Sequence, residues 1–214
     1  MKLNPAVSLL SALIFSFILS FASFKIFFII PVVFLLFLNI NRVKQVFKKL
    51  IVLNLFIVIL ALFLYFETNF IEALNLFIRV NLIILFNLLL FIASNGFDIV
   101  KGFLILKFPK KFTSSLYFTV KMIFELNLEL KNIKTSLKAR NFKPKTDIFT
   151  YKTYGNIFGL LFLKTITKSN ILKDSLLLRG FKNEIFLNYD NSLKLSDYIL
   201  ISLFVLILFL KVIL

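Results

Sequence analysis

Residues 51–66 read IVLNLFIVILALFLYF, and residues 73–94 read ALNLFIRVNLIILFNLLLFIAS. Together the two runs contain one charged residue, Arg79. A helix needs about 17–25 mostly apolar residues to cross the hydrocarbon core of a bilayer, and both runs come close to that length or reach it. These two runs predict a pair of transmembrane helices joined by a short turn.

The sequence on either side of this pair is also strongly apolar. Of the 214 residues, 60% are hydrophobic, and the mean hydropathy is +0.95. An ordinary soluble domain is about 45–50% apolar. Three further apolar runs predict membrane helices: Ala6–Ala22, Ile26–Ile40 and Tyr198–Leu214. The first resembles a signal peptide, but one charge precedes it and the run is long enough to span, so we interpret it as a helix.

We therefore predict an all-α integral membrane protein with about five transmembrane helices. An N-terminal four-helix membrane region occupies residues 1–95, and a C-terminal membrane helix occupies residues 198–214. Between them, residues 96–197 form a basic, amphipathic helical region, too polar to consist of spans alone. Orientation follows from the Lys/Arg bias. The loop 41–50 has four cations and no acid, whereas the turn after the third run carries Glu67 and Glu72. Positive loops stay inside, so the N-terminus and region 96–197 are predicted to be cytoplasmic.

Charge is concentrated in that cytoplasmic region. From Lys101 to Lys182 there are 17 Lys/Arg and four acids, which is +13 of the total net charge of +16. This excess fits positive-inside topology and contact with anionic headgroups of the lipid bilayer. We predict no nucleic-acid partner, because the flanking spans leave no room for a soluble nucleic-acid-binding domain.

Helical periodicity is clear inside the cytoplasmic region. The apolar residues Met122, Leu126, Leu130, Ile133 and Leu137 recur at steps of three or four, which predicts one stripe of an α-helix. Glu125 and Glu129 fall mostly off this stripe, on a solvated face. We predict another helix that begins near Ser169, an acceptable N-cap, and runs to Arg179.

Two passages of this region repeat. Residues 134–143 read KTSLKARNFK and residues 173–182 read KDSLLLRGFK, with six of ten positions identical at a spacing of 39. Asn141 and Gly180 occupy the same position, and both residue types adopt the left-handed conformation that closes a helix. Each passage thus predicts a helix that ends on Arg, then a cap, a Phe and a Lys.

The paired arginines have two interpretations. A cation at a helix C-terminus interacts favourably with the macrodipole, by about 0.3–1 kcal/mol. Lys would do this equally well, yet only four of the 26 cations are Arg, and Arg140 and Arg179 share one repeat position. Only Arg offers a planar fork that grips carboxylates or carbonyls bidentately. The pair therefore favours a docking device for a two-fold soluble partner.

On these residues the chain resembles the T component of energy-coupling factor (ECF) uptake transporters, including the CbiQ-type subunit of cobalt transporters. That family carries two Ala-Arg-Gly-type motifs on cytoplasmic coupling helices. Here Ala139-Arg140-Asn141 matches the first with Asn for Gly, and Leu178-Arg179-Gly180 matches the second with Leu for Ala. The stretch from Arg79 to the first motif is also similar; its matching residues include Asp98, Gly102, Phe108-Pro109 and Glu125 or Glu129.

The resemblance implies a multi-pass protein of the bacterial plasma (inner) membrane, and a non-catalytic role. Its partners would be two cytoplasmic ABC ATPase subunits, which receive the two Arg motifs, and a membrane S component that captures the substrate. Cobalt or nickel is the implied cargo, with a vitamin such as biotin as the alternative. No cofactor is expected in this chain, which has no GxxxxGK[ST] phosphate loop.

Two other classes are less favoured. An integral-membrane lipid enzyme usually needs clustered acids or His for a metal or a base, and this sequence has no His and no Cys. A channel or secondary carrier marks its pathway with ionisable residues inside spans, and Arg79 alone qualifies.

Overall fold

The computed structural model describes residues 3–22, 24–188 and 192–213, so Leu214, the last residue of the predicted C-terminal span, lies outside the described residues. The described residues form eight α-helices, two short 3₁₀ turns and no strand, which confirms the all-α prediction. The helices are α1 (Pro5–Phe21), α2 (Ile29–Leu38), α3 (Val43–Glu67), α4 (Phe70–Phe91), α5 (Gly96–Ile105), α6 (Lys110–Ala139), α7 (Ile148–Leu178) and α8 (Leu195–Ile213). The chain divides into two compact units: Met1–Leu106 with Asn188–Leu214, and Lys107–Leu187.

The first unit has an apolar core built from α1, α2, α4 and α8. At its centre the rings of Phe15 and Phe86 lie 4.2 Å apart, and Phe204 meets both in edge-on contacts at 6.2 and 5.8 Å. Phe86 is fully buried and Phe15 is 1% exposed. Such offset and edge-on pairs contribute about 0.5–1.5 kcal/mol beyond simple area burial. The core is therefore closely packed and specific.

Two helical stretches of this unit, Ile40–Glu67 and Phe70–Phe91, are long and apolar enough to cross a membrane. Only 6% of the most apolar window of the first is buried within the protein, whereas the core helix of a soluble protein would be mostly buried. Three shorter apolar helices accompany them, Pro5–Phe21, Ile26–Leu38 and Leu195–Phe209. The membrane nature of the unit is thus supported, while the predicted count of five spans is not confirmed.

Polar residues fix where these helices begin and end. The side chain of Asn4 caps α1 and is followed by Pro5 at the first helical position. Asp197, fully buried, accepts hydrogen bonds from the backbone N–H of Asn4 and of Lys194, each at 2.9 Å. This carboxylate therefore ties the start of α1 to the start of α8.

The second unit consists of α6 and α7 with the chain around them. The stripe from Met122 to Leu137 lies within α6, so that helix prediction is confirmed. The predicted helix start near Ser169 is wrong, because α7 begins at Ile148 and runs without interruption through the apolar stretch to Leu178. Asp147 is the actual N-cap, and the sequence between it and Ser169 contains no Pro that would break the helix.

Candidate functional site

The two repeated passages end their helices in the same way. In α6, the cap residue Arg140 is followed by Asn141 with φ 58°; its N–H donates to the Lys138 carbonyl at 2.9 Å. The next N–H, that of Phe142, donates to the Leu137 carbonyl at 3.0 Å. This pair of bonds is the Schellman motif, which requires a left-handed residue after the cap. Asn adopts that conformation more readily than most residues with a side chain.

The end of α7 repeats this geometry 39 residues later. Gly180, with φ 66°, follows the cap residue Arg179 and donates its N–H to the Leu177 carbonyl at 3.0 Å. Phe181 then donates to the Leu176 carbonyl at 3.0 Å. Asn141 and Gly180 therefore play the same backbone role. The prediction that each passage is a helix ending on Arg with a left-handed cap is confirmed.

The Phe after each cap packs against the opposite helix. The ring of Phe142 lies 6.3 Å from Tyr154 of α7 in an edge-on contact and 6.2 Å from Phe149. The ring of Phe181 lies 5.7 Å from Phe118 of α6, also edge-on. Each cap is thus held by an aromatic contact to the first part of the other helix, which our sequence interpretation missed. The Phe at the same position of each repeat was the sequence signal that could have predicted these contacts.

The arginines themselves face solvent. Arg140 and Arg179 are both exposed, and neither guanidinium has a partner among the residues that the structure describes. The other two arginines behave differently. Arg79 donates from Nε to the Leu19 carbonyl at 3.0 Å, and Arg42 donates to the Ile92 carbonyl at 3.4 Å. Both arginines donate to carbonyls at helix C-termini, Arg79 from two guanidinium nitrogens and Arg42 from one.

Two of the residues predicted to support the site, Arg79 and Asp98, belong to the first unit. Besides Leu19, Arg79 binds the Ser20 carbonyl and so closes the end of α1. Asp98 accepts a hydrogen bond from the Asn95 N–H at 2.9 Å, forming a capping box at the start of α5. One turn later, a side chain at Gly102 would meet the Pro5 carbonyl oxygen at 2.9 Å, so glycine allows α5 to approach α1.

Glu125 and Glu129 lie where α6 meets α7. Lys168 Nζ lies 3.4 Å from Glu129 and 3.7 Å from Glu125, and Lys164 Nζ lies 3.5 Å from Glu129. The sequence interpretation placed both acids on a solvated face. Both side chains do retain solvent contact, at 39% for Glu125 and 21% for Glu129. Their lysine partners are on the following helix, and the sequence interpretation did not identify them.

Asp147 shapes the loop between the two helices. Its carboxylate accepts a hydrogen bond from the Thr150 N–H at 2.8 Å. Hydrogen bonding by the Thr150 side chain, and next by its backbone N–H, lowers the pKa of Asp147 below its ordinary value. The Thr150 hydroxyl in turn accepts a bond from the Lys145 N–H at 3.2 Å. The loop therefore leaves the first Arg cap and enters α7 in a defined conformation.

The described residues contain no group of three or more His, Cys, Asp or Glu side chains that could hold a metal ion. The two helix ends are suited to binding another protein. Each presents one exposed, planar cation at a helix terminus, where it can bind carboxylates or carbonyl oxygens of another protein.

The sequence of the chain matches the model of a known protein family. The model of the CbiQ family, described as cobalt transport protein, matches residues 2–186. This range contains both Arg caps and the helices that carry them. No curated protein matches the chain.

Proposed function

The chain belongs to the CbiQ cobalt transport protein family, and we propose that it is the transmembrane coupling subunit, or T component, of an ECF-type ABC importer. In this role it transmits the ATP-driven motion of two cytoplasmic ATPases to a membrane S component that binds the substrate. The chain itself is non-catalytic. It resides in the inner membrane of a bacterium as a multi-pass protein with a cytoplasmic N-terminus, and residues 96–197 form the cytoplasmic coupling region.

One observation carries the proposal: two helices end in the same cap with the same unpaired Arg. Arg140 and Arg179 share backbone geometry, exposure and lack of a partner within the described chain. Arg79 and Arg42, by contrast, donate to carbonyls of their own chain. Two equivalent, unoccupied forks suit a partner that itself offers two equivalent grooves, such as a pair of homologous ATPases.

The residues on either side of each Arg have distinct roles in this proposal. Ala139 and Leu178 are the last helical residues and face solvent beside the Arg, where they contribute apolar contact to the groove. Asn141 and Gly180 turn the chain so that the Arg stands at the tip. Glu125, Glu129, Arg79 and Asp98 support the coupling helices or the membrane region from a distance.

Co-purification tests this role. We expect the double variant Arg140→Ala/Arg179→Ala to remain in the membrane and to lose the ATPases. Truncating one side of a buried, hydrogen-bonded charge contact costs about 2–5 kcal/mol, which is roughly 30-fold or more in affinity per site. Arg→Lys at both sites keeps the charge but loses the fork, so binding should fall only partly.

The repeat provides a matched control. Lys143→Ala/Lys182→Ala removes the same number of positive charges, three residues beyond each Arg at equivalent exposed positions. This variant should retain the ATPases. If it loses them as fully as the Arg variant does, general positive charge explains the binding. If the Arg double variant still co-purifies the ATPases, the docking role is wrong.

The cargo follows from chemistry outside this chain. We propose cobalt or nickel, with biotin as the alternative, and we assign selectivity to the S component. Transition metals bind strongly to imidazole and thiolate, and this sequence has neither His nor Cys. Calorimetry on the purified chain should therefore give no tight Co²⁺ or Ni²⁺ isotherm. A stoichiometric isotherm without a partner would place substrate recognition in this subunit.

A further inference from the structure

The residues at the crossing of α6 and α7 also follow the 39-residue spacing of the repeat, although their residue types differ between the two copies. The two lysines at the crossing, Lys164 and Lys168, stand 39 residues after Glu125 and Glu129. This is the spacing that separates the two Arg caps. The helices therefore cross at equivalent positions of the repeat, and at those positions one copy carries acids and the other carries lysines.

The ion pairs are reciprocal. Lys168 meets Glu129, its own repeat equivalent, at 3.4 Å. Lys168 also meets Glu125 at 3.7 Å, and Lys164 meets Glu129 at 3.5 Å. Exchanging each residue of one of these two pairs for its repeat equivalent gives the other pair. Such reciprocity indicates a local two-fold relation between the helices. Each Arg cap lies eleven residues beyond the crossing, which is about 16 Å along its helix.

The apolar side chains of α6 and α7 are at most half-buried. Among the described residues of the second unit, the buried residues are Thr113, Ser114 and Thr150, and none is hydrophobic. Exposed ion pairs are individually weak, and these lysines are 38–47% exposed. Apolar residues of both helices, such as Leu126 and Leu161, are only half-buried, and apolar packing is non-directional. Charge complementarity therefore decides which positions face each other. A slide of one helical turn would leave at most part of the set paired.

Glu129 supports this reading. Its second carboxylate oxygen, Oε2, is buried and has no hydrogen-bond partner in the described chain. A buried, unsatisfied oxygen costs stability. We therefore assign the Glu129 carboxylate a role in specifying how α6 and α7 cross, rather than a role in stability.

We propose that Glu125, Glu129, Lys164 and Lys168 act as positioning residues, which fix the crossing of α6 and α7 and thereby the spacing of the two Arg caps. The consequence for transport rests on the proposed function, since the spacing would match the two ATPase grooves. The charge swap between the repeats also disfavours pairing of α6 with α6 from a second copy, because Glu would then face Glu.

The test measures the spacing directly in the full-length chain. The sequence contains no Cys, so Lys138→Cys/Leu177→Cys provides two clean spin-label sites. These exposed positions are repeat equivalents, each two residues before its Arg. Pulsed electron resonance should give one narrow distance distribution. Adding Glu125→Lys/Glu129→Lys should abolish the narrow peak, because four lysines then face each other.

Restoring complementarity should restore the distance. A fourfold swap, with Lys164→Glu/Lys168→Glu added, keeps the net charge of the native chain and should recover the narrow peak at the native distance. The control Lys131→Glu/Lys134→Glu reverses two charges on the same helix, away from the crossing, and should leave the peak unchanged. Raising the salt to about 1 M should broaden the native distribution, because screening then acts within about 3 Å.

Two results would overturn the proposal. One is an unchanged distribution in Glu125→Lys/Glu129→Lys. The other is a broadened distribution that the fourfold swap does not narrow, since charge complementarity would then not be the cause. Binding of the ATPases to each variant is measured in a separate co-purification. A swapped protein with the native distance but without ATPase binding would leave this inference standing and count against the proposed docking function.

Discussion

The two units of the molecule hold their helices in different ways. In the first, the side chains of Phe15, Phe86 and Phe204 are buried and pack directly on one another. In the second, two helices of 30 and 31 residues bury no hydrophobic side chain fully within the described chain. Their arrangement depends on caps, ring contacts and ion pairs. A unit built this way presents its helix ends for contact with another protein, whereas the first unit is organised around its own core.

The largest expected difference concerns the side of the membrane on which parts of the two units lie. We predict that the second unit is cytoplasmic and that the turn at Asn69, in the first unit, lies outside. A reporter active only outside the cytoplasm should be silent when fused after Lys182 and active when inserted near Asn69. The expected difference is all or none. A signal from the Lys182 fusion would contradict the coupling role of the second unit.

A core substitution should separate the two units energetically. Phe86 is fully buried against Phe15 and Phe204. Phe86→Ala should lower the free energy of unfolding by about 3 kcal/mol or more, because it leaves a cavity in a close-packed core.

The matched variant in the second unit is Phe158→Ala, at a ring that is 77% exposed. It should change stability by no more than about 0.5 kcal/mol. Thermal unfolding in detergent measures both. Equal losses would mean that the second unit also depends on an apolar core.

Substitutions at the two helix caps of the second unit should change the stability of the last helical turns by a smaller amount. Gly180 has φ 66°, where an added Cβ is strained by about 1–2 kcal/mol although nothing lies within 4 Å of it. Gly180→Ala should therefore weaken the last turn of α7. Asn141→Gly at the equivalent cap should instead strengthen the last turn of α6 slightly. Amide exchange of these turns measures both, and a loss of protection in Asn141→Gly would show that its side chain is needed.

The smallest effect concerns Asp147. Its pKa lies below the ordinary value of 3.8, because Thr150 stabilises the ionised carboxylate. A depressed pKa means that the stabilisation is present above the unfolded-state pKa and is lost as the pH falls through the folded-state value. Protection of the Thr150 amide should fall over that range. Asp147→Asn keeps a good cap that does not titrate, so this variant should show no such fall.

Local sequence signals predicted much of this structure. The apolar runs marked α1, α2, α4, α8 and most of α3, but not α5. The Arg-Asn-Phe and Arg-Gly-Phe passages marked two helix ends with left-handed caps. The start of α7 was misplaced, because Ser169 and Asp147 are both acceptable caps and only the folded chain shows which one is used.

The contacts between helices were beyond local signals. The pairing of Glu129 with Lys168 depends on where two long helices cross, and nothing local marks that point. Asp197 likewise follows no local pattern that predicts burial, but the fold buries it against the Asn4 N–H, 193 residues away. The 39-residue repeat did contain a usable signal, since the lysines stand at the repeat positions of the acids.

The central claim is that each Arg-capped helix end contacts an ATPase. Because the chain has no Cys, a single Cys at Lys138 or at Leu177 can carry a photo-activated cross-linker in the assembled transporter. Each position alone should capture one ATPase subunit, and the double variant should capture two on the same chain. A Cys at Asn69, in the turn that we predict to lie outside, should capture none. Failure of either cap position to cross-link an ATPase, in a complex that still hydrolyses ATP and transports, would contradict the account.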